Sequence, residues 1–280
     1  MSSRPSRTAR IQAGALVASA AALLSTGLLH PSSAAAATAP SAASVTSPAS
    51  GQAPAHATAA VLDLDGAGRT PVVHGVDRAY DTASIVKVDI LATLLLQAQD
   101  AGRHLSAQER DLAEPMIRRS DNAAADTLWR QIGRAPGLAA ANERLGLSST
   151  TGGPGGKWGL TRTTAGDQIR LLRAVFDSGG TAHAGSGGLD AESRTYVRTL
   201  MSHVAPEQAW GVSAIGASGS GKALKNGWLQ RNTTGRWDVN SVGQVTAKGH
   251  RYLVAVLSDG SASMSDGVRL VERTARSAVA

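Results

Sequence analysis

Residues 81–101 open as Asp81-Thr82-Ala83-Ser84-Ile85-Val86-Lys87-Val88-Asp89-Ile90-Leu91 and run on, mostly apolar, to Ala101. Ile85, Val88, Leu91, Leu95 and Ala98 recur at helical spacing, which predicts a helix from about Ala83 to Ala101 with one buried face. Asp81 or Thr82 is its expected cap. Ser84 and Lys87 then share a face one turn apart at the helix start. A serine hydroxyl attacks only when a neighbouring base takes its proton. A lysine is such a base only when burial or nearby positive charge lowers its pKa. Ile85, Val86, Val88 and Ile90 surround Lys87 in sequence, so burial is expected. The helix start also favours negative charge developing at Ser84.

The pattern on either side of this helix sets the fold class. Before it, Thr58 to Leu64 reads as a strand, Asp65-Gly66-Ala67-Gly68 as a turn, and Thr70 to His74 as the returning strand. After it come helices at Ser106–Arg119, Asn122–Gln131 and Leu138–Leu145, then the Gly-rich loop Thr151 to Gly156. Thr163 or Thr164 caps a helix through Phe176, and Asp190 one through His203. Ala223–Gln230, Trp237–Thr246 and Tyr252–Ser258 return to strand composition. A last amphipathic helix covers about Ser263 to Ser277. This order implies an α+β protein: an antiparallel sheet from both chain ends with flanking helices, and an all-helical lobe inserted between. The lobes are expected at 57–80 with 210–280 and at 81–209.

The 280 residues carry a net charge of +7 and no cysteine. The missing thiols exclude disulfides, thiolate metal sites, a cysteine nucleophile and a lipid-modified cysteine. Arg4, Arg7 and Arg10, an apolar run to about Leu29 and the small residues Ser32 to Thr38 have the three-part order of an export signal. We expect residues 1–37 to be a signal peptide, 38–56 an Ala/Ser/Pro-rich linker and 57–280 the folded domain, secreted and without a membrane anchor after cleavage. Without the three leader arginines, 25 basic residues face 21 acidic ones. Their alternation, as in Glu109-Arg110-Asp111, describes a solvated mixed surface with no nucleic-acid stripe.

Two further short motifs follow Ser84 and Lys87. Ser120-Asp121-Asn122 lies between two expected helices, and Lys225-Asn226-Gly227 opens the first C-terminal strand. Ser120 can relay a proton, Asn122 can bind a substrate amide, and Lys225 can hold a carboxylate and lower the pKa of Lys87. Other candidates read as structure. His56, His74, His104, His183, His203 and His250 lack metal-ligand spacing, and His30 falls in the leader. Asp63 and Asp65 read as hairpin residues. Gly216 to Lys222 lacks phosphate-loop spacing. Trp129, Trp210, Trp228 and Trp237 read as core or rim, with Trp228 kept as a cleft candidate.

Together, Ser84-x-x-Lys87, Ser120-Asp121-Asn122 and Lys225-Asn226-Gly227 resemble the signature of the penicillin-recognising serine hydrolases, most closely the class A β-lactamase-like branch. The resemblance covers roughly residues 58–280, including Trp210-Gly211 and Thr161-Arg162-Thr163-Thr164. It implies Ser84 as the acylated nucleophile, Lys87 as its base partner and Ser120 as the relay. Asn122, Lys225, Asn226, Gly227 and Trp228 would bind substrate, with the Ser84 and Trp228 amides forming an oxyanion hole. No metal or organic cofactor is implied. The partner would be a small molecule, a β-lactam or a peptidoglycan-like amide, met by a monomer. Such an enzyme would break down β-lactams and confer antibiotic resistance.

Three departures bear on that expectation. Asn226 stands where the family has Thr or Ser. The stretch from Lys87 to Ser120 is shorter than usual, which removes part of a cleft wall. Between Glu143 and Asp167 there is no carboxylate, although the family takes its deacylating glutamate from that loop. Acylation with slow deacylation is therefore expected. Two other readings remain: a D-alanyl-D-alanine peptidase or esterase-like wall enzyme, and a non-catalytic module binding β-lactams or wall fragments.

Overall fold

The computed structural model describes residues 54–177, 187–216 and 221–280. The export signal, the linker as far as residue 53, His30, His183 and residues 217–220 of the loop at 216–222 lie outside the described residues. Strand β1 (His56–Asp63) turns back into β2 (Val72–His74). The Asp63 carboxylate accepts the Asp65 and Gly66 amides at 2.9 Å each and so makes the turn. Next come β3 (Tyr80–Asp81), a 3₁₀ turn (Ala83–Ile85), and α1 (Val86–Asp100). Helices α2 (Ala107–Arg118), α3 (Asn122–Gln131) and α4 (Arg134–Leu145) follow. A 3₁₀ turn at Trp158–Leu160 leads to β4 (Arg162–Thr163), α5 (Ala165–Phe176) and α6 (Ala191–Ser202). The chain closes with β5 (Lys222–Gln230), β6 (Trp237–Ala247), β7 (His250–Ser261) and α7 (Met264–Ala278).

The main sheet is antiparallel in the order β2-β1-β7-β6-β5, so both chain ends build it. In β7, Leu253 to Leu257 is an unbroken apolar run, which suits a strand covered on both faces. Leu253, Ala255 and Leu257 pack with Ala60, Leu62 and the helical lobe. Val254 and Val256 face the other way, with Ala59, Val61, Val239 and the α7 residues Val271 and Ala275. Strand period two therefore divides one sequence run between two cores. β3 and β4 form a separate two-residue ladder, Tyr80 opposite Thr163.

Several expected boundaries move. His56, expected in the linker, pairs with Asp259 in the β1–β7 ladder. Neither Asp81 nor Thr82 caps the first helix. Thr82 makes no side-chain capping bond, and Asp81 forms ion pairs with Arg162 and Arg231. The α-helix begins at Val86 after the 3₁₀ turn, three residues later than expected. Helix α4 starts at Arg134, before the expected Leu138, because Pro136 falls in its first turn, where a missing N–H costs nothing. The caps Asp121, Thr164, Asp190 and Ser263 each accept a backbone N–H in their helix's first turn.

Candidate active site

The segment before Ser84 is pinned from three sides. The buried Asn240 amide on β6 donates to the carbonyls of Asp81 (2.9 Å) and Thr82 (3.1 Å). The Thr82 amide donates to the Thr161 carbonyl at 2.8 Å. Ala83 has φ +46, a left-handed backbone that costs an L-residue energy and persists only where its surroundings enforce it. On β5, a Cβ at Gly227 would stand 2.6 Å from the Ser84 nitrogen and 2.8 Å from that of Ile85. Only glycine lets the strand approach this closely. The half-buried Ser84 thus sits where α1 begins, with the edge strand β5 against its amide.

Behind it, Ser120 lies between two lysines. Its own φ is +57, in the tight link between α2 and α3. The Lys87 Nζ donates to the Ser120 carbonyl (2.7 Å), the Ser120 hydroxyl (3.1 Å) and the Asn122 Oδ1 (2.8 Å). The Lys225 Nζ reaches the same hydroxyl at 2.9 Å and the Asn226 carbonyl at 2.8 Å. Both amines are almost wholly buried, and among the described residues neither forms a salt bridge. Burial pushes Lys87 down to about 7, against the opposing pull of Asp121 and Asp126. Lys225 falls well below the ordinary lysine value, through burial first and then repulsion from Lys87. The repulsion between the two amines is mutual, and at Lys87 lost water is the leading cause of the shift. A hydroxyl shared by two such amines can accept a proton from one while giving its own to the other.

The sequence-predicted residues divide accordingly. Ser120, Asn122, Lys87 and Lys225 form one hydrogen-bonded cluster. Lys87 directs its hydrogen bonds to Ser120 and Asn122 rather than to Ser84, one turn away. Asn226 faces away from that cluster, contrary to the substrate-side expectation. Its amide donates to the carbonyls of Gln208 (2.8 Å) and Trp210 (3.0 Å), because strand alternation turns 226 opposite to 225 and 227. The Trp228 ring also packs on the far side, 5.9 Å from the Trp210 ring centroid. Its backbone alone remains near the site.

The loop before α5 supplies no free carboxylate. Asp167 is fully buried and accepts from the Ser149 amide (2.8 Å), the Thr150 hydroxyl (2.8 Å) and Arg170 (2.6 Å). Glu143 is exposed on α4. Two residues that sequence reasoning missed stand nearer. The Trp158 ring covers Lys87, with Nζ 4.7 Å from its centroid. Asp126 accepts the Trp158 indole N–H at 2.7 Å. Asp126 follows Asn122 by one helical turn, and that spacing was the available signal. A cleft of about 550 Å³ opens between these residues and the β5–β6 turn, lined also by Leu160, Gln230 and Arg231.

A model of the Beta-lactamase enzyme family matches residues 96–280, so the match begins after Ser84 and Lys87. The protein named "Putative lipoprotein LppW" of Mycobacterium tuberculosis is 29% identical over 179 residues, 62% of this chain and 54% of its own length. The chain thus spans about half the length of the curated relatives it matches. Among solved structures, the TLA-1 extended spectrum beta-lactamase is 16% identical with a TM-score of 0.67, covering 80% of this chain and 91% of its own. PBP-A is 20% identical at 0.65, covering 81% and 89%. A class A beta-lactamase from Mycobacterium abscessus is 18% identical at 0.63, covering 80% and 92%. These structural likenesses establish the fold.

Proposed function

The chain belongs to the beta-lactamase enzyme family, and from that premise we propose that it is an exported serine hydrolase acylated at Ser84 by β-lactams or related amides. The observation that carries this reading is the Ser120 hydroxyl held at 3.1 and 2.9 Å by two buried lysines beside the pinned Ser84 turn. In the acylation step the Ser84 Oγ bonds to the carbonyl carbon and the C–N bond breaks. The hydroxyl proton passes by way of Lys87 and Ser120 to the leaving nitrogen. A lysine lowered to about 7 has a proton affinity close to the working pH and is so suited to both transfers. Asn122 would bind the substrate amide, and Lys225 the substrate carboxylate. The backbone at Ser84 and Gly227–Trp228 would hold the developing oxyanion.

Release of the acyl group needs a water activated by a base; the loop before α5 carries no carboxylate, and Asp167 in the first turn of α5 is already engaged by three donors. We therefore read deacylation as slow. That property favours, as a second reading, a wall-directed peptidase or an acyl-holding binding protein. Export is supported by the order of residues 1–37 and by the lipoprotein name of the mycobacterial relatives. The test is intact-mass measurement after mixing with a penicillin. A single adduct on the protein and none on Ser84→Ala is the expected result; an unmodified protein at every time point that also leaves the penicillin intact would refute acylation.

A further inference from the structure

Three side chains from three separate segments meet in line at the cleft. Asp126 on α3 accepts the Trp158 indole N–H at 2.7 Å, and the ring so held lies over the Lys87 amine at 4.7 Å. Asp126 and Trp158 line the cleft together with Asn122, whose Oδ1 is itself a partner of Lys87. A bond from an N–H to an ionised carboxylate is stronger than its neutral counterpart, so Asp126 fixes the plane of the ring and not merely its neighbourhood. Lys87 is then bounded by acceptors on one side and by an aromatic face on the other.

We propose that Asp126 and Trp158 are positioning residues for Lys87: the carboxylate fixes the indole, and the indole holds the amine against Ser120 and Asn122 and keeps water from it. The inference rests on the reading of Lys87 as the base for Ser84. The ring exerts two opposed effects. Its face attracts an ammonium by about 0.5–2 kcal/mol, while the water it excludes would have favoured that same charge. Lys87 is fully buried and lies near 7, so the loss of water dominates. The charged groups facing it are Asp121 and Asp126 from α3, which favour the ammonium, and Lys225 from β5, which opposes it.

The test compares wild type with Trp158→Ala, Trp158→Phe, Asp126→Ala and Asp126→Asn. The first readout is the pH midpoint of acylation by a penicillin. Trp158→Ala should raise it by about one pH unit or more as water returns to the amine. Asp126→Ala should raise it part of the way. Asp126→Asn, whose side-chain oxygen still accepts the indole N–H, should restore the wild-type midpoint or fall slightly below it. Trp158→Phe, with a ring but no anchor, should lie between wild type and Trp158→Ala.

The second readout needs no β-lactam. Acetic anhydride modifies Lys87 in alkaline buffer, where the amine is neutral in every variant, and peptide mass mapping reads the extent. Trp158→Ala and Asp126→Ala should react faster than wild type, and Asp126→Asn at the wild-type rate. Asp126 is exposed, so its variants fold if the larger Trp158 change does not. An acylated wild type with unchanged midpoints and unchanged Lys87 modification in the Ala variants would overturn the inference. Changed modification in a protein that no β-lactam acylates would instead overturn the Ser84 reading and leave the positioning role standing.

Discussion

Two buried polar clusters, one at Ser120 and one at Asp167, are built from similar parts and left in opposite states. At Ser120 two lysines converge on a single hydroxyl, and among the described residues no carboxylate is bonded to either. At Asp167 one carboxylate is met by an amide, a hydroxyl and an arginine at 2.6–2.8 Å. The first cluster keeps proton affinity near neutrality, and its groups can change state cheaply. The second has both carboxylate oxygens engaged and holds the 149–150 segment onto α5. On the proposed function, the difference separates the two steps: the Ser120 cluster would serve proton transfer in acylation, and Asp167 would not serve to activate a water.

The sharpest way to break the comparison is to remove the nucleophile. Ser84→Ala should eliminate covalent labelling by β-lactams while circular dichroism stays that of the wild type, since the hydroxyl is small and α1 continues behind it. Labelling that survives at full rate would move the site elsewhere. Lys87→Ala should slow acylation by about 10²–10⁴, the usual contribution of one general base, measured by quenched-flow mass spectrometry. Gly227→Ala follows. Its Cβ would stand 2.6 Å from the Ser84 nitrogen and force β5 away from the turn. The expected loss is about 10²–10³, that of one oxyanion donor.

The pH dependence separates the clusters further. If Lys87 is the base proposed for Ser84, its working form is the neutral amine, and acylation should rise with pH through about 7 and level off above it. A flat profile across that range would remove Lys87 from the mechanism. Next to Asp167, the buried Asp89 is pushed up to about 7 by burial, with Asp167 adding repulsion. The Asn142 amide, turned to donate to it, acts against that shift. The folded state then holds a proton that the unfolded state releases near 3.8, and stability falls as pH rises between those values. Asp89→Asn should remove that dependence. The gain should be about 1–3 kcal/mol in mildly alkaline buffer and much less in acid, by denaturant titration.

What was legible in the sequence was local. The caps Thr164 and Asp190 were readable because a cap and the N–H that donates to it lie within four residues. The three motifs were readable because each is a few residues long, and the order of strands and helices along the chain implied the split sheet. The contacts that define the cleft join residues far apart: Trp158 with Lys87, and Asn240 with the carbonyls at 81 and 82. No short-range pattern encodes such pairs. Asn226 is a different case. The alternation of β5 already turned it away from Lys225, and the family resemblance drew attention to its place in the motif instead.

Pre-steady-state kinetics with a chromogenic cephalosporin test the central claim most directly, since one trace reads both clusters. The account predicts a burst of about one equivalent as Ser84 is acylated. A steady rate lower than that of an enzyme with a carboxylate base, by about 10²–10⁴, should follow. Burst-free turnover at about 10 s⁻¹ or faster would contradict it.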